Sequence, residues 1–141
     1  MNVRRVRENV CNELAPLIAA SQQEGFEFVV RLVHEQAAGY FGRPGTALFG
    51  AYDAELLGVG GLTPDPYTDR PDIGRVRHLY VLPARRAEGV GQVLIGAIIE
   101  EARLYYRVLR LRADTQTAAT FYQALGFSTT TQPHSTHVLT L

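Results

Sequence analysis

The stretch that decides the fold reads Val81-Leu82-Pro83-Ala84-Arg85-Arg86-Ala87-Glu88-Gly89-Val90-Gly91. An apolar run over residues 79–82 ends at Pro83, a loop with two arginines and two glycines follows, and an apolar helical pattern begins near Val90. Glycines let the backbone approach a ligand closely, and the free N–H groups and dipole of a helix N-terminus favour an anion. The stretch therefore predicts a strand, a phosphate-binding turn and a helix in succession.

Hydrophobic spacing predicts the remaining elements on either side of this stretch. Before it we expect an edge strand at 2–7, helices at 9–20 and 26–39, a hairpin of strands 47–52 and 56–62, an exposed loop at 63–74 and a strand at 75–82. After it we expect a long, well-buried helix at 90–103, a strand at 108–113, a helix at 115–125 and a closing hairpin of 127–131 and 137–141. Pro16 predicts a kink or a break in the first helix.

This element order, β-α-α-β-β-β-α-β-α-β-β, joins an antiparallel first half to a β-α-β second half. It indicates an α/β (α+β) fold. We expect a central mixed, mostly antiparallel sheet of about 6–7 strands flanked by about four helices.

Composition limits the classes of partner. The 141 residues suit one domain, which we expect to span 1–141. Fourteen basic and fourteen acidic residues cancel, so we expect no nucleic-acid partner and no membrane partner. Because no signal segment or membrane-length apolar run is visible, a cytoplasmic location is expected.

Several reaction chemistries are excluded by missing residue types. The sequence has no lysine, which excludes a lysine Schiff base and the lysine-dependent P-loop. The single cysteine, Cys11, excludes an internal disulfide and a multi-cysteine zinc site, and we expect it to be apolar filler. His134 and His137 lack partner ligands, so no metal is expected.

Two motifs carry a family resemblance. Arg86-x-x-Gly89-x-Gly91, just after Val81-x-Pro83, resembles the acyl-CoA pyrophosphate loop of the Gcn5-related N-acetyltransferase (GNAT) family. A second stretch, Thr115-x-x-Ala118-x-x-Phe121-Tyr122-x-x-Leu125-Gly126-Phe127, is similar to the family's other signature, in which Asn is usual at the place of Thr115. The two motifs cover residues 79–127 in the family's order and spacing.

The resemblance implies a single-domain GNAT fold and a direct transfer of an acetyl group. Acetyl-CoA would be the co-substrate, and the acceptor would be a primary amine of a small molecule or peptide. The pyrophosphate would be held by the loop and helix start, and the pantetheine arm would pair with the preceding strand, with Thr115 as a further cofactor contact. The implied cofactor-binding residues are Leu79, Tyr80, Val81, Arg86, Ala87, Glu88, Gly89, Val90, Gly91, Gln92 and Thr115.

The resemblance also implies the catalytic groups. Tyr122 matches the general acid, because a phenol of pKa ~10 is protonated at neutral pH and can donate to a thiolate of pKa ~8.5. The N–H of Val81 would polarise the thioester carbonyl. Relatives often carry a Glu base on the strand where this chain has Arg110, so His78 is the candidate base, with water as the alternative.

Three further questions stay open at this level. Arg77 and Arg110 face the splayed cleft in one interpretation, where they would favour an acceptor with a carboxylate or phosphate, and are surface charges in the other. The chain is an enzyme, or alternatively a catalytically weak or inactive acetyl-CoA-binding sensor domain. A homodimer through the closing hairpin also stays open.

Overall fold

The computed structural model describes residues 1–6 and 11–141 and contains a seven-stranded sheet in the order β1-β2-β3-β4-β5-β7-β6. The strands are β1 (Asn2–Arg5), β2 (Ala47–Tyr52), β3 (Leu56–Pro64), β4 (Ile73–Val81), β5 (Val108–Leu111), β6 (Ser128–Thr129) and β7 (His137–Thr140). The helices are α1 (Cys11–Gln23), α2 (Phe28–Ala37), α3 (Val90–Ala102) and α4 (Gln116–Ala124), with a short 3-10 turn at Pro83–Arg85. The order of elements and the fold class predicted from the sequence are confirmed.

Two hydrophobic layers hold the helices against the sheet. On one face Leu94, Ile95 and Ile98 of α3 pack with Leu109 and Leu111 of β5. On the other face α1 and α2 pack on the sheet through fully buried leucines, which are Leu14, Leu17 and Leu32. Each such leucine contributes about 1.5–3 kcal/mol when it leaves water. None of the described helices is long and apolar enough to cross a bilayer.

Packing overrides one local expectation in α1. The helix continues through Pro16, although proline removes a backbone hydrogen bond. Leu14 and Leu17 on either side of it are fully buried, and their burial offsets the loss. The expected helix start at Asn9, the end of the first strand at residue 7 and the side chain of Cys11 lie outside what the structure describes.

One expectation about burial is wrong, and another is met. The segment 63–74 is not a wholly exposed loop, because β3 continues to Pro64 and the carboxylate of Asp65 is fully buried. The N–H of Asp65 donates to the carbonyl of Ile73 at 3.0 Å, which draws the segment inward. Helix α3 is well buried through Val90, Leu94, Ile95, Ile98 and Ala102, while Val93 is 41% exposed.

A β-bulge interrupts β4 opposite Gly60 of β3. Val59 pairs with Tyr80 and Gly61 pairs with Arg77, so Gly60 alone faces both His78 and Leu79. His78 takes a left-handed φ of 57°, which is uncommon for a residue with a side chain. The parallel β4–β5 pairing runs from Ile73 to Arg75 and then ends. Beyond Arg75 the two strands diverge and leave a V-shaped opening.

The closed end of this opening depends on tight packing around Gly74. A Cβ at Gly74 would lie 2.6 Å from the ring of Tyr106, whose hydroxyl donates to the carbonyl of Gly45 at 2.6 Å. The ring therefore has no room to move, and we expect Gly74→Ala to lower the free energy of unfolding by about 1–3 kcal/mol. Chemical denaturation measures this loss.

The matched control is Gly96→Ala in α3, where an added Cβ meets nothing within 4 Å. Alanine has the better helix propensity, so this variant should gain roughly 0.5–1 kcal/mol. Equal stability of the two variants would contradict the assignment of Gly74 as a packing constraint.

Candidate functional site

The loop between β4 and α3 presents an array of backbone donors. Ala87 and Gly89 both take left-handed φ values, 65° and 86°, so the chain curls into a concave turn before the helix. No side chain caps the N-terminus of α3, and its first intrahelical bond is from the N–H of Val93 to the carbonyl of Gly89. The preceding N–H groups, from Val90 to Gln92, are therefore available to an anion.

The side chain of Arg86 donates hydrogen bonds to other residues of the protein and does not extend into this turn. Its Nε donates to the carbonyl of Val81 at 3.0 Å, and its Nη1 and Nη2 donate to the two carboxylate oxygens of Glu24 at 2.8 and 2.7 Å. The hydroxyl of Tyr80 donates to the same carboxylate at 2.6 Å. These hydrogen bonds, first that of Arg86, hold the pKa of Glu24 below its usual range. Arg86 thus ties the loop to the end of α1.

The Val81 amide faces the V-shaped opening. The N–H of Leu82 donates to the carbonyl of Leu57 across the β3–β4 ladder at 2.9 Å. Because successive amides of an antiparallel strand point to opposite edges, the N–H of Val81 is directed away from β3. It therefore lies on the edge from which β5 has separated.

Helix α4 places Tyr122 on the α3 side of this opening. Phe121 lies against the start of α3, where a Cβ on Gly91 would come within 3.1 Å of its ring. Tyr122 packs edge-to-face against Phe121 and Phe127. Burial raises the pKa of Tyr122 well above its usual range, and its hydroxyl makes no hydrogen bond to any described residue. The phenol is therefore protonated and free to donate.

Thr115 has a structural task at the beginning of α4. Its Oγ1 accepts a hydrogen bond from the N–H of Ala118 at 3.1 Å, which makes it the N-cap of the helix. The side chain is exposed, and its role as a cofactor contact stays a prediction.

The bulge brings His78 to the carboxylate of Glu35, which the sequence analysis did not predict as a site residue. Because the bulge adds a residue, Arg77 and His78 both point to the α2 side, where they contact Glu35. The His78 Nε2 lies 2.9 Å from Oε2, and Nη2 of Arg77 lies 3.3 Å from Oε1. Glu35 follows the fully buried Leu32 by one helical turn and therefore lies near the same face of α2, which packs on the sheet. This spacing is the feature of the sequence that could have indicated Glu35 as a partner of β4.

His78 is held neutral in this pair. Burial lowers the pKa of His78 even though the Glu35 carboxylate pulls it upward. A carboxylate accepts hydrogen bonds only, so Nε2 carries the proton and Nδ1 keeps the lone pair. A neutral imidazole held by a carboxylate is the arrangement of a general base with a positioning residue.

Arg77 and Arg110 do not form the joint anion site that one interpretation expects, nor are they surface charges. Arg77 pairs with Glu35, whereas Arg110 lies opposite Arg75 and 3.6 Å from the carboxylate of Asp65. Both side chains are mostly buried, at 19% and 16% exposed.

A large cavity lies apart from all these groups. Its volume is about 670 Å³, and it opens beside β1, where Arg5, Arg43 and Tyr105 line it. It touches none of the site residues predicted from the sequence. Within residues 1–6 and 11–141, no group of three or more His, Cys, Asp or Glu side chains is arranged to hold a metal ion.

Comparisons with known proteins agree with the geometry. The sequence profile of the acetyltransferase (GNAT) domain matches residues 44–129. A solved structure from Exiguobacterium sp. 255-15, provisionally named an acetyltransferase, is 35% identical over 99% of this chain and 94% of its own, with a TM-score of 0.86. The ribosomal-protein-alanine N-acetyltransferase of Brucella melitensis shares the fold at 18% identity, with full coverage of both chains and a TM-score of 0.78. No protein of curated function matches the sequence.

The Glu24–Arg86 pair gives a stability prediction. Because the pKa of Glu24 is lowered in the folded chain, its contribution is complete above the ordinary carboxyl range and is lost as pH falls through the lowered pKa. Both side chains are partly exposed, so we expect Glu24→Gln to cost about 0.5 kcal/mol at pH 7 and to flatten the acid side of the stability curve.

The control is Glu100→Gln, which removes a more exposed pair with Arg103 and should leave the curve unchanged. Urea unfolding between pH 3 and pH 7 measures both variants. A Glu24→Gln curve parallel to that of the parent would contradict the role of this pair.

Proposed function

Because this chain belongs to the GNAT acetyltransferase family, we propose that it transfers the acetyl group of acetyl-CoA to a primary amine of a small molecule or peptide. One observation carries the proposal. The opening between β4 and β5 has a backbone anion turn at one end, a protonated Tyr122 on the α3 side and a neutral His78 on the α2 side. Donor and acceptor would thus meet across the sheet.

The donor would bind through backbone groups. The pyrophosphate accepts hydrogen bonds from the N–H groups of Ala87, Glu88, Gly89, Val90, Gly91 and Gln92, where the dipole of α3 adds to their attraction. The pantetheine arm pairs with Leu79, Tyr80 and Val81 as an added strand along the free edge of β4. Arg86 holds the Val81 carbonyl and thereby acts as a positioning residue.

The reaction needs no covalent enzyme intermediate. The amine attacks the thioester carbonyl, the C–N bond forms, the C–S bond breaks and CoA leaves as a thiolate. His78 Nδ1 takes the proton from nitrogen, while Glu35 fixes the imidazole tautomer and stabilises the imidazolium. The Val81 N–H donates to the carbonyl oxygen as negative charge develops there.

Tyr122 would complete the transfer on the other face. Its raised pKa keeps the hydroxyl protonated over the whole neutral range, so it donates a hydrogen bond or a proton to the departing thiolate. The alternative of an inactive acetyl-CoA-binding domain is motivated by a missing carboxylate at the base. Glu35 supplies a carboxylate beside His78, and this contact favours the enzyme. A cytoplasmic location and a homodimer stay predictions.

A panel of primary amines with acetyl-CoA tests the activity, with CoA release followed by a thiol reagent. We expect acetylation of at least one amine and its detection by mass. Acetyl-CoA binding without transfer to any amine would favour the inactive domain, and failure to bind CoA would overturn the proposal.

Removing the Tyr122 hydroxyl should slow turnover. Tyr122→Phe keeps the buried ring contacts with Phe121 and Phe127, so the fold should persist while kcat falls about 100-fold. Steady-state kinetics and calorimetric binding of CoA separate chemistry from binding. Tyr105→Phe, at an exposed tyrosine beside the large cavity, is the control. Unchanged kcat in Tyr122→Phe would remove the residue from this role.

The His78–Glu35 pair predicts a pH profile. A base works when deprotonated, so kcat/KM should rise with pH and level off above the lowered pKa of His78. Glu35→Gln removes the interaction that raises this pKa, so the rising limb of the kcat/KM profile should move to lower pH. The plateau value of kcat/KM should fall about 10-fold.

His78→Gln should abolish this limb, and Glu55→Gln in the exposed β2–β3 turn should leave the profile as it is. A limb that stays at the same pH in Glu35→Gln would contradict the pairing. A limb that persists in His78→Gln would assign the proton to water or another group.

A further inference from the structure

Arg110 is a mostly buried cation that makes no hydrogen bond to the part of the chain that the structure describes. Its side chain is 16% exposed, and its Nε is buried without a partner among the described residues. The nearest charge is Oδ2 of Asp65, 3.6 Å from Nη1, which exceeds a hydrogen-bond distance. A guanidinium has five N–H donors, and leaving buried donors unpaired is costly. Arg110 therefore has the capacity to bind a further acceptor.

The carboxylate beside Arg110 is shared with another arginine. Oδ1 of Asp65 accepts the N–H of Tyr67 at 3.1 Å and lies 3.6 Å from Nη1 of Arg75. Arg75 has its own partners, because it donates to the carbonyl of His134 at 2.6 Å and lies over the ring of Tyr67. Two guanidinium groups thus face one carboxylate, and this cluster has an excess of positive charge.

The position of Arg110 connects it to the proposed acceptor side. Leu109 and Leu111 are buried in the core against α3, so Arg110 points to the opposite face, the face on which His78 meets Glu35. Arg110 pairs in register with Arg75 at the last rung before β4 and β5 diverge. His78 lies further along β4 by roughly 10 Å of strand.

Charge distinguishes Arg110 from its neighbour Arg77. Arg77 lies 3.3 Å from a Glu35 oxygen and also donates to the hydroxyl of Tyr40, so its charge is neutralised within the protein. Arg110 makes no hydrogen bond to a described residue, and it shares its nearest carboxylate, Asp65, with Arg75.

From these contacts we infer that the acceptor amine also bears a carboxylate, which Arg110 binds while the amine reaches His78. A carboxylate matches the planar fork of arginine with two parallel hydrogen bonds. This inference rests on the proposed acetyl transfer for the identity of the ligand, but Arg110 would bind the carboxylate whether or not transfer follows.

The test compares amines that differ in one charge. The probes are glycine, β-alanine, 4-aminobutanoate and 5-aminopentanoate, each beside its carboxamide, and acetylation is followed as CoA release. We expect at least one acid to exceed its carboxamide about 10-fold or more in kcat/KM, since hydrogen bonds to charged groups are the stronger ones. The chain length of the best acid reports the spacing between Arg110 and the amine site.

Variants assign that preference to Arg110. Arg110→Gln should lose the preference and retain the rate on the carboxamide, and Arg110→Lys, which keeps the charge without the fork, should retain part of it. Arg112→Gln, at an exposed arginine on the same strand face that pairs with Asp114, is the control and should behave like the parent. An equal loss on acid and carboxamide in Arg110→Gln would overturn the inference.

Calorimetric titration of the same acids, without acetyl-CoA, separates the two proposals. Binding of an acid that is lost in Arg110→Gln supports the inference even if no amine is acetylated. Acetylation of acids and carboxamides at equal rates would overturn the inference while leaving the acetyltransferase proposal intact.

Discussion

One inserted residue in β4 governs the arrangement of the site. Opposite Gly60 the strand carries both His78 and Leu79, beyond Arg75, where its pairing with β5 ends. Without the bulge, side chains would alternate strictly and Arg77 and His78 would lie on opposite faces. With it, both reach Glu35, and the amide of Val81 faces the opening between the strands. The left-handed backbone of His78 is sustained by this local arrangement, and such outliers are common at functional sites.

Four arginines near the candidate site form ion pairs with carboxylates from distant parts of the chain. Glu24 forms an ion pair with Arg86, and Glu35 forms one with Arg77. Asp65 is shared between Arg75 and Arg110. With equal numbers of acidic and basic residues, the chain has no large net field. Among these four arginines the pairing is least complete at Arg110, which makes no hydrogen bond to a described residue and shares its carboxylate with Arg75.

Local patterns predicted the fold well, including the strand, turn and helix start around residues 81–91, because the features that indicate them are local. The alternation of Val108 and Arg110 with the buried Leu109 and Leu111 is the burial pattern of β5 itself. The glycines and the apolar run around Val90 indicated the loop and the start of α3. Family resemblance, rather than spacing, indicated Tyr122, whose surroundings alone are those of a core aromatic.

The partners of the charged groups could not be predicted in this way. Glu35 and His78 are 43 residues apart, and Glu24 and Arg86 are 62 apart, so their contacts depend on how α1 and α2 pack on the sheet. The burial of Asp65 likewise depends on a backbone hydrogen bond that closes its loop.

The hydrogen bonds between Arg86 and Glu24 have a further consequence, which concerns substrate affinity. They join the loop proposed to bind the donor with the residue that follows α1, so a donor that displaced Arg86 would also act on the helix layer beside the proposed acceptor side. Thermodynamic linkage would make that effect reciprocal, so that donor and acceptor would change each other's affinity by the same factor.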